Sequence, residues 1–233
     1  MLTTLAYMAL QQATLGFDEI EKRKHESFTA LKAFKGKYRI VTVPESGTAI
    51  IQEVVYVFSP TGRQVLVTVN DKAVVEMGWT EKETWRVSYA DRKYATTVVD
   101  DGLKTKPFKP LPVEKGQVNF TVGENGMRLN AEPTPTVQSI EDDKVDGKTL
   151  MKISAVSRNV VTGGELRVVQ WFEKGDWVVR RFDITSLQDG VIKINVRGTL
   201  LDADFKAATP AGIGKLPVSQ LNGFAQEKGK GGS

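Results

Sequence analysis

The side chains able to do chemistry are few, and their spacing matches no reaction. Carboxylates cluster at Asp100-Asp101, at Glu141-Asp142-Asp143 with Asp146, and at Asp202 with Asp204. A calcium loop needs ligands at its first, third, fifth and twelfth positions around a central glycine. None of these segments has that spacing, so each reads as solvated loop charge. Glycoside hydrolysis needs two carboxyl groups facing one cleft, a condition that many strand-end pairs meet and that therefore selects none. The chain has one histidine, His25, and no cysteine. That removes disulfides, thiolate metal sites, iron–sulfur clusters and cysteine nucleophiles, and it speaks against a histidine-built metal or triad site. His25 falls between Lys24 and Glu26 on the polar side of a helical pattern and reads as a solvated histidine. No G-x-S-x-G elbow and no glycine-rich phosphate loop opening a helix occurs. The four tryptophans lie on or beside predicted strands, where core packing is the expected role rather than base stacking. No catalytic residue, metal or cofactor is expected.

The elements that would position any site are a short helical segment followed by a long β region. The 233 residues are 40% hydrophobic and 26% charged, which suits a globular chain with a core. The net charge of +4 is small and dispersed, so nucleic acid is not an expected partner. Residues 1–16 carry no charge and read either as an extra helical turn or two or as the remnant of a secretory signal lacking its basic start. No stretch approaches the ~18 apolar residues that span a bilayer. From Phe17 to Phe34, residues Phe17, Ile20, Lys24, Phe28, Leu31 and Phe34 form one helical stripe, with Gly36 as the stop.

After Gly36 the period changes from 3.6 to 2. Tyr38–Val43, Thr48–Phe58, Gln64–Asn70, Thr84–Tyr89, Lys148–Ser157, Leu166–Glu173, Trp177–Leu187 and Val191–Leu201 read as strands joined by tight turns, hence an antiparallel meander. Residues 100–147 hold five prolines and predict looser chain with one hairpin, Gln117–Val122 with Met127–Asn130. Residues 222–233 predict a disordered tail. One face of each strand is apolar. An antiparallel sheet of about ten strands curls, and its concave apolar face is wider than one helix can cover. The alternation nominates Val65, Val67, Val69, Trp85, Val87, Tyr89, Phe182, Ile184, Ile192, Ile194 and Val196 as the lining of that face.

Four stretches in order resemble the LolA/LolB-like superfamily of outer-membrane lipoprotein sorting and carrier proteins. They are Leu31–Ile40 at the helix-to-strand passage, Thr80–Tyr94 with Trp85 and Tyr94, Val145–Lys148 before three long strands, and Asp204–Gly212 at the close. The chain departs from the family pattern at Ser59, where a basic residue often precedes the proline, and at Glu81-Lys82, where the turn is Asp-Gly. The resemblance implies a mainly β fold with few helices, over residues 17–221 as one domain. That fold is an incomplete antiparallel β-barrel of about eleven strands wrapped around the N-terminal amphipathic helix. It further implies an exported, periplasmic, monomeric and non-catalytic carrier whose apolar half-barrel cavity binds lipid acyl chains or lipoproteins. A regulatory or structural envelope module of the same fold, binding a protein partner, is the alternative.

Overall fold

The computed structural model describes residues 15–99, 108, 113, 118–123, 126–159, 163–207 and 212–227. Helix α1 (Phe17–Thr29) leads into strands β1 (Phe34–Pro44), β2 (Ile50–Ser59), β3 (Gly62–Val69), β4 (Lys72–Trp79), β5 (Glu83–Ser88) and β6 (Lys93–Val98). A hairpin follows, β7 (Val118–Gly123) with β8 (Gly126–Ala131). The second run is β9 (Thr136–Val145), β10 (Lys148–Asn159), β11 (Gly164–Phe172), β12 (Val179–Gln188) and β13 (Val191–Asp204). A 3-10 turn at Val218–Gln220 and the short β14 (Ala225–Glu227) complete the order.

Twelve strands form one sheet in the order β14-β6-β5-β4-β3-β2-β1-β13-β12-β11-β10-β9. The two meanders meet where β1 pairs with β13, and among the described residues only β14 with β6 is parallel. The outermost strands do not pair, so the sheet is an incomplete antiparallel barrel. Its curl follows from the core. Val65 of β3 and Ile153 of β10 belong to the same buried cluster as Ile20 and Phe28 of the helix. Those strands are six positions apart in the order. On a flat sheet at ~4.8 Å per strand they would lie almost 30 Å apart, too far for one ~10 Å helix to bridge. The sheet therefore wraps α1, and hairpin β7–β8 adds Met127, Leu129, Phe120 and Val122 to the same cluster.

Several expectations change. The helix ends at Thr29, whose hydroxyl donates back to the carbonyls of His25 and Glu26. Phe34 and Gly36 belong to β1 instead, because the alternation Phe34, Tyr38, Ile40 serves the sheet and Gly36 leaves room for the Phe34 ring. Segments 72–79, 93–98 and 136–145, not read as strands, pair in the sheet; cross-strand partners there outweigh the polar composition of β9. Glu141, Asp142 and Asp143 accordingly sit on a strand and not a loop, bonded to Lys152, Lys174 and the indole of Trp171. His25 is buried at 3% exposure with its ring edge-on to Phe108, 5.7 Å away. The tail expected to be disordered from residue 222 continues in order to Glu227, since Phe224 and β14 dock on β5 and β6. The reading of residues 1–16 lies outside the described residues, save Leu15 and Gly16.

Candidate functional site

The inner face of the sheet is built around aromatic rings. Phe28 of α1 stands edge-on to Phe34, Tyr56 and Phe58, with centroids 5.7, 5.1 and 5.2 Å away. Tyr38, fully buried, donates to the Val179 carbonyl at 2.8 Å, while the buried Tyr56 hydroxyl has no partner. Burial pushes both phenols well above the ordinary tyrosine value. Among the nominated residues, Val65, Phe182 and Ile184 are buried in this cluster, and Val67 and Val196 pack against it. Tyr38, Ile40, Val54, Leu166, Val168 and Phe172 share the face but were not nominated. Their strands alternate equally well, so the same signal could have included them.

One carboxylate ties the cover to the sheet. Glu21 of α1 pairs with Lys24 at 2.5 Å, accepts the Leu129 amide of β8 at 3.2 Å and faces the Gln170 amide of β11 at 3.4 Å. All three side chains are buried. Helix, hairpin and sheet are thus joined through one acid in an apolar setting, where an unpaired charge would be costly.

Among the described residues, the helix and hairpin do not cover the whole inner face. Cross-strand register places Val69 opposite Gln52, Ile50 opposite Thr42, and Ile194 opposite Pro44 and Ser186. Val69 and Ile194 are half-buried and stand outside the packed cluster. Ile50 is 43% exposed, while the nominated Ile192 is set opposite Leu187 by a bulge and leaves this face. Apolar side chains, interspersed with Gln52, Thr42 and Ser186, thus run on past the helix and hairpin, among the described residues, toward the turns between β1 and β2 and between β12 and β13.

Three further nominated residues lie on the other side, on β5 and just after it. Trp85 pairs with Gly78 and Val87 with Glu76, whereas the inward Met77 pairs with Arg86. Trp85, Val87 and Tyr89 therefore occupy the outer face, under a strap formed by residues 212–227 that brings Leu216, Leu221 and Phe224 onto them. The Trp85 indole donates to the Gly214 carbonyl at 2.5 Å and lies over Gly78, where a Cβ would come within 2.3 Å of the ring. Buried Glu76 accepts from both the Gln64 amide and the Tyr89 hydroxyl. Burial, reinforced by that carboxylate, raises the Tyr89 phenol well above its ordinary value. Alternation is the same whichever face is dry, so the strands alone gave no sign of this reversal.

Two hollows adjoin the cover. One of about 20 Å³ lies among Lys24, Phe28, Tyr38, Tyr56 and Trp177, room for a single water. The other, about 250 Å³, lies between the start of α1 and β8, with Phe17, Phe108 and Leu129 at its apolar side and Asp18, Asn130 and Glu132 at its polar side. Among the described residues no three acidic or histidine side chains gather as a metal site, and no helix is long and apolar enough to cross a membrane.

No protein-family model matches the chain, and no curated protein does. Among solved structures it is similar to a LolA superfamily protein from Nitrosomonas europaea, at 10% identity and a TM-score of 0.35, over 84% of this chain and 96% of that one. It is also similar to a DUF1329 family protein from Desulfovibrio piger, at 10% identity and a TM-score of 0.30, over 84% and 92%. A third likeness, at 10% identity and a TM-score of 0.16 over 79% and 97%, is to MucB in complex with MucA(peri).

Proposed function

We propose that the protein is a non-catalytic binding protein, exported to the periplasm, that takes the acyl chain of a lipid or lipoprotein along the inner face of the half-barrel. The observation that carries this reading is the inner-face group Val69, Ile50 and Ile194, which the helix and hairpin leave uncovered among the described residues. Sheltering an acyl chain gains about 0.8 kcal/mol per methylene. About ten methylenes laid on this lining gain roughly 8 kcal/mol before the cost of association, enough for a useful affinity. The 20 Å³ slot is too small for a chain, so a longer ligand would have to lift α1 or the hairpin and break the contacts of Glu21.

The test is Ile194→Asn. In a sealed core a buried amide without a partner costs several kcal/mol. At a half-buried mouth it meets water, so the melting temperature should stay within a few degrees while binding of a fluorescent fatty acid falls about tenfold. Loss of the fold with no prior loss of binding would overturn the reading. Mass spectrometry of an organic extract of the wild-type protein gives the second measurement. A lipid-free extract together with no fatty-acid binding would leave the protein-partner module as the better account.

A further inference from the structure

Five of the nine large hydrophobic residues that stand exposed among the described residues lie at one end of the sheet: Val43, Ile50, Ile51, Val191 and Ile192, at 42–51% exposure. They come from the neighbouring strands β2, β1 and β13, where the chain turns back between β1 and β2 and between β12 and β13. Register separates them by face. Ile192, set opposite Leu187 by a bulge in the pairing of β12 with β13, faces out, while Ile50 pairs with Thr42 and so shares the inner face with Tyr38 and Ile40. Val43 and Ile51 alternate with these and project from the outer face. The tip is therefore apolar on both sides of a sheet one strand-layer thick.

A single partner surface docked on one face of this edge would leave the other face wet. An edge that is apolar on both faces is dried only by a medium that closes around it. The charge at the tip favours the same medium. Lys193 pairs with Glu45 at 2.8 Å, and the Glu45 amide donates to the Lys193 carbonyl at 2.8 Å, so these turns present a neutralised pair and the Asp189 carboxylate, which accepts from Gln188, and not a basic patch. We propose that this end of the half-barrel is a membrane-seating edge, which inserts its tip into the interfacial layer of a lipid bilayer through apolar contact. The edge adjoins the uncovered end of the inner face, so seating would set that opening against the lipid. The insertion itself rests on the tip residues and holds whether or not the inner face binds a chain.

Flotation of the full chain with phosphatidylcholine vesicles tests it. The wild-type protein should float, and equally well when salt is raised, because no screened charge drives the contact. Val43→Ser combined with Ile51→Ser, both on the outer face, should lower the bound fraction about tenfold while fatty-acid binding in solution is unchanged. Should that double variant not fold, Val191→Trp replaces it, with tryptophan emission moving to the blue on vesicles. A wild-type chain that stays off the vesicles overturns the proposal, as does flotation that the outer-face serines leave unaltered or a Val191→Trp emission that vesicles do not move. Self-association of the wild-type chain without flotation would show that a second copy covers the edge, which also overturns it. Fatty-acid binding read separately keeps the two proposals distinct: either can fail while the other stands.

Discussion

The sheet buries apolar side chains on both faces, and the two patches are built very differently. The inner one gathers 21 buried residues from the helix, the hairpin and six strands of the sheet around interlocked rings. The outer one has three, Trp85, Val87 and Leu221, beneath a strap that makes a single run across β4 to β6. Their strands have the same two-residue period. What separates them is what covers each: a helix and hairpin wrapped by the sheet on one side, and on the other a chain held by the Trp85–Gly214 bond and the parallel pairing of β14 with β6. A patch covered by interlocking elements is expected to melt with the whole molecule, and one covered by a strap to open locally first.

The largest contrast should come from removing one anchor from each cover. Phe28→Ala deletes a ring that touches Phe34, Tyr56 and Phe58, and should cost about 3–5 kcal/mol of global stability in denaturant unfolding. Ending the chain after Leu221 removes Phe224 and β14, and should cost only about 1–2 kcal/mol while speeding proteolysis at residues 212–221. Equal losses from the two changes would mean that the strap is as integral as the helix.

Glycines sharpen the comparison further, because both faces use the same device. An aromatic ring lies over a strand glycine on the inner face, Phe182 on Gly198, and on the outer face, Trp85 on Gly78. A Cβ would come within 2.0 and 2.3 Å of those rings. Phe182 is held from above by Phe120 of the hairpin at 5.2 Å, so its ring has nowhere to move, whereas Trp85 can rise with the strap. Overpacking costs about 1–3 kcal/mol. Gly198→Ala should fall at the upper end of that range and Gly78→Ala at the lower, with protease-sensitive straps only in the second. The reverse order would place the rigid cover outside.

Much of this was legible in the residues. The helical stripe of Phe17, Ile20, Lys24 and Phe28, the long strands β1, β2 and β10 to β13, and the hairpin β7–β8 all follow from period and turn chemistry. Lost were the facts that depend on partners. Trp85, Val87 and Tyr89 alternate as cleanly as Val65 and Val67, and only pairing with Gly78 and Glu76 turns them outward. His25 sits between two charged residues yet is buried, because Phe108, some eighty residues along, closes over it. Asp142 and Asp143 read as loop because their stabilising contacts, Lys174 and Trp171, lie on or beside a strand two places away in the sheet.

The smallest effect expected is one of pH, and it too divides the faces. The phenols of Tyr38 and Tyr56 inside and Tyr89 outside are all raised, chiefly by burial and for Tyr89 also by Glu76. A group whose folded value is raised holds its proton in the folded chain where the unfolded chain has released it. The stability it lends is therefore whole below the ordinary tyrosine value of 10.0 and declines as pH rises above it. Inside, the decline is shared by the entire cluster and shows as a falling global stability. Outside, Tyr89 supports only the strap, since its hydroxyl holds Glu76 and its ring meets Phe224 at 5.9 Å. Cleavage of the strap by an alkaline protease should therefore accelerate above pH 10 before the molecule as a whole unfolds. In Tyr89→Phe, which keeps the ring and loses the titrating proton, the strap should be somewhat looser at neutral pH and its cleavage no longer steepen in the alkaline range. A variant that still shows the steepening would move the alkaline sensitivity from Tyr89 to the inner tyrosines and make the strap melt with the core.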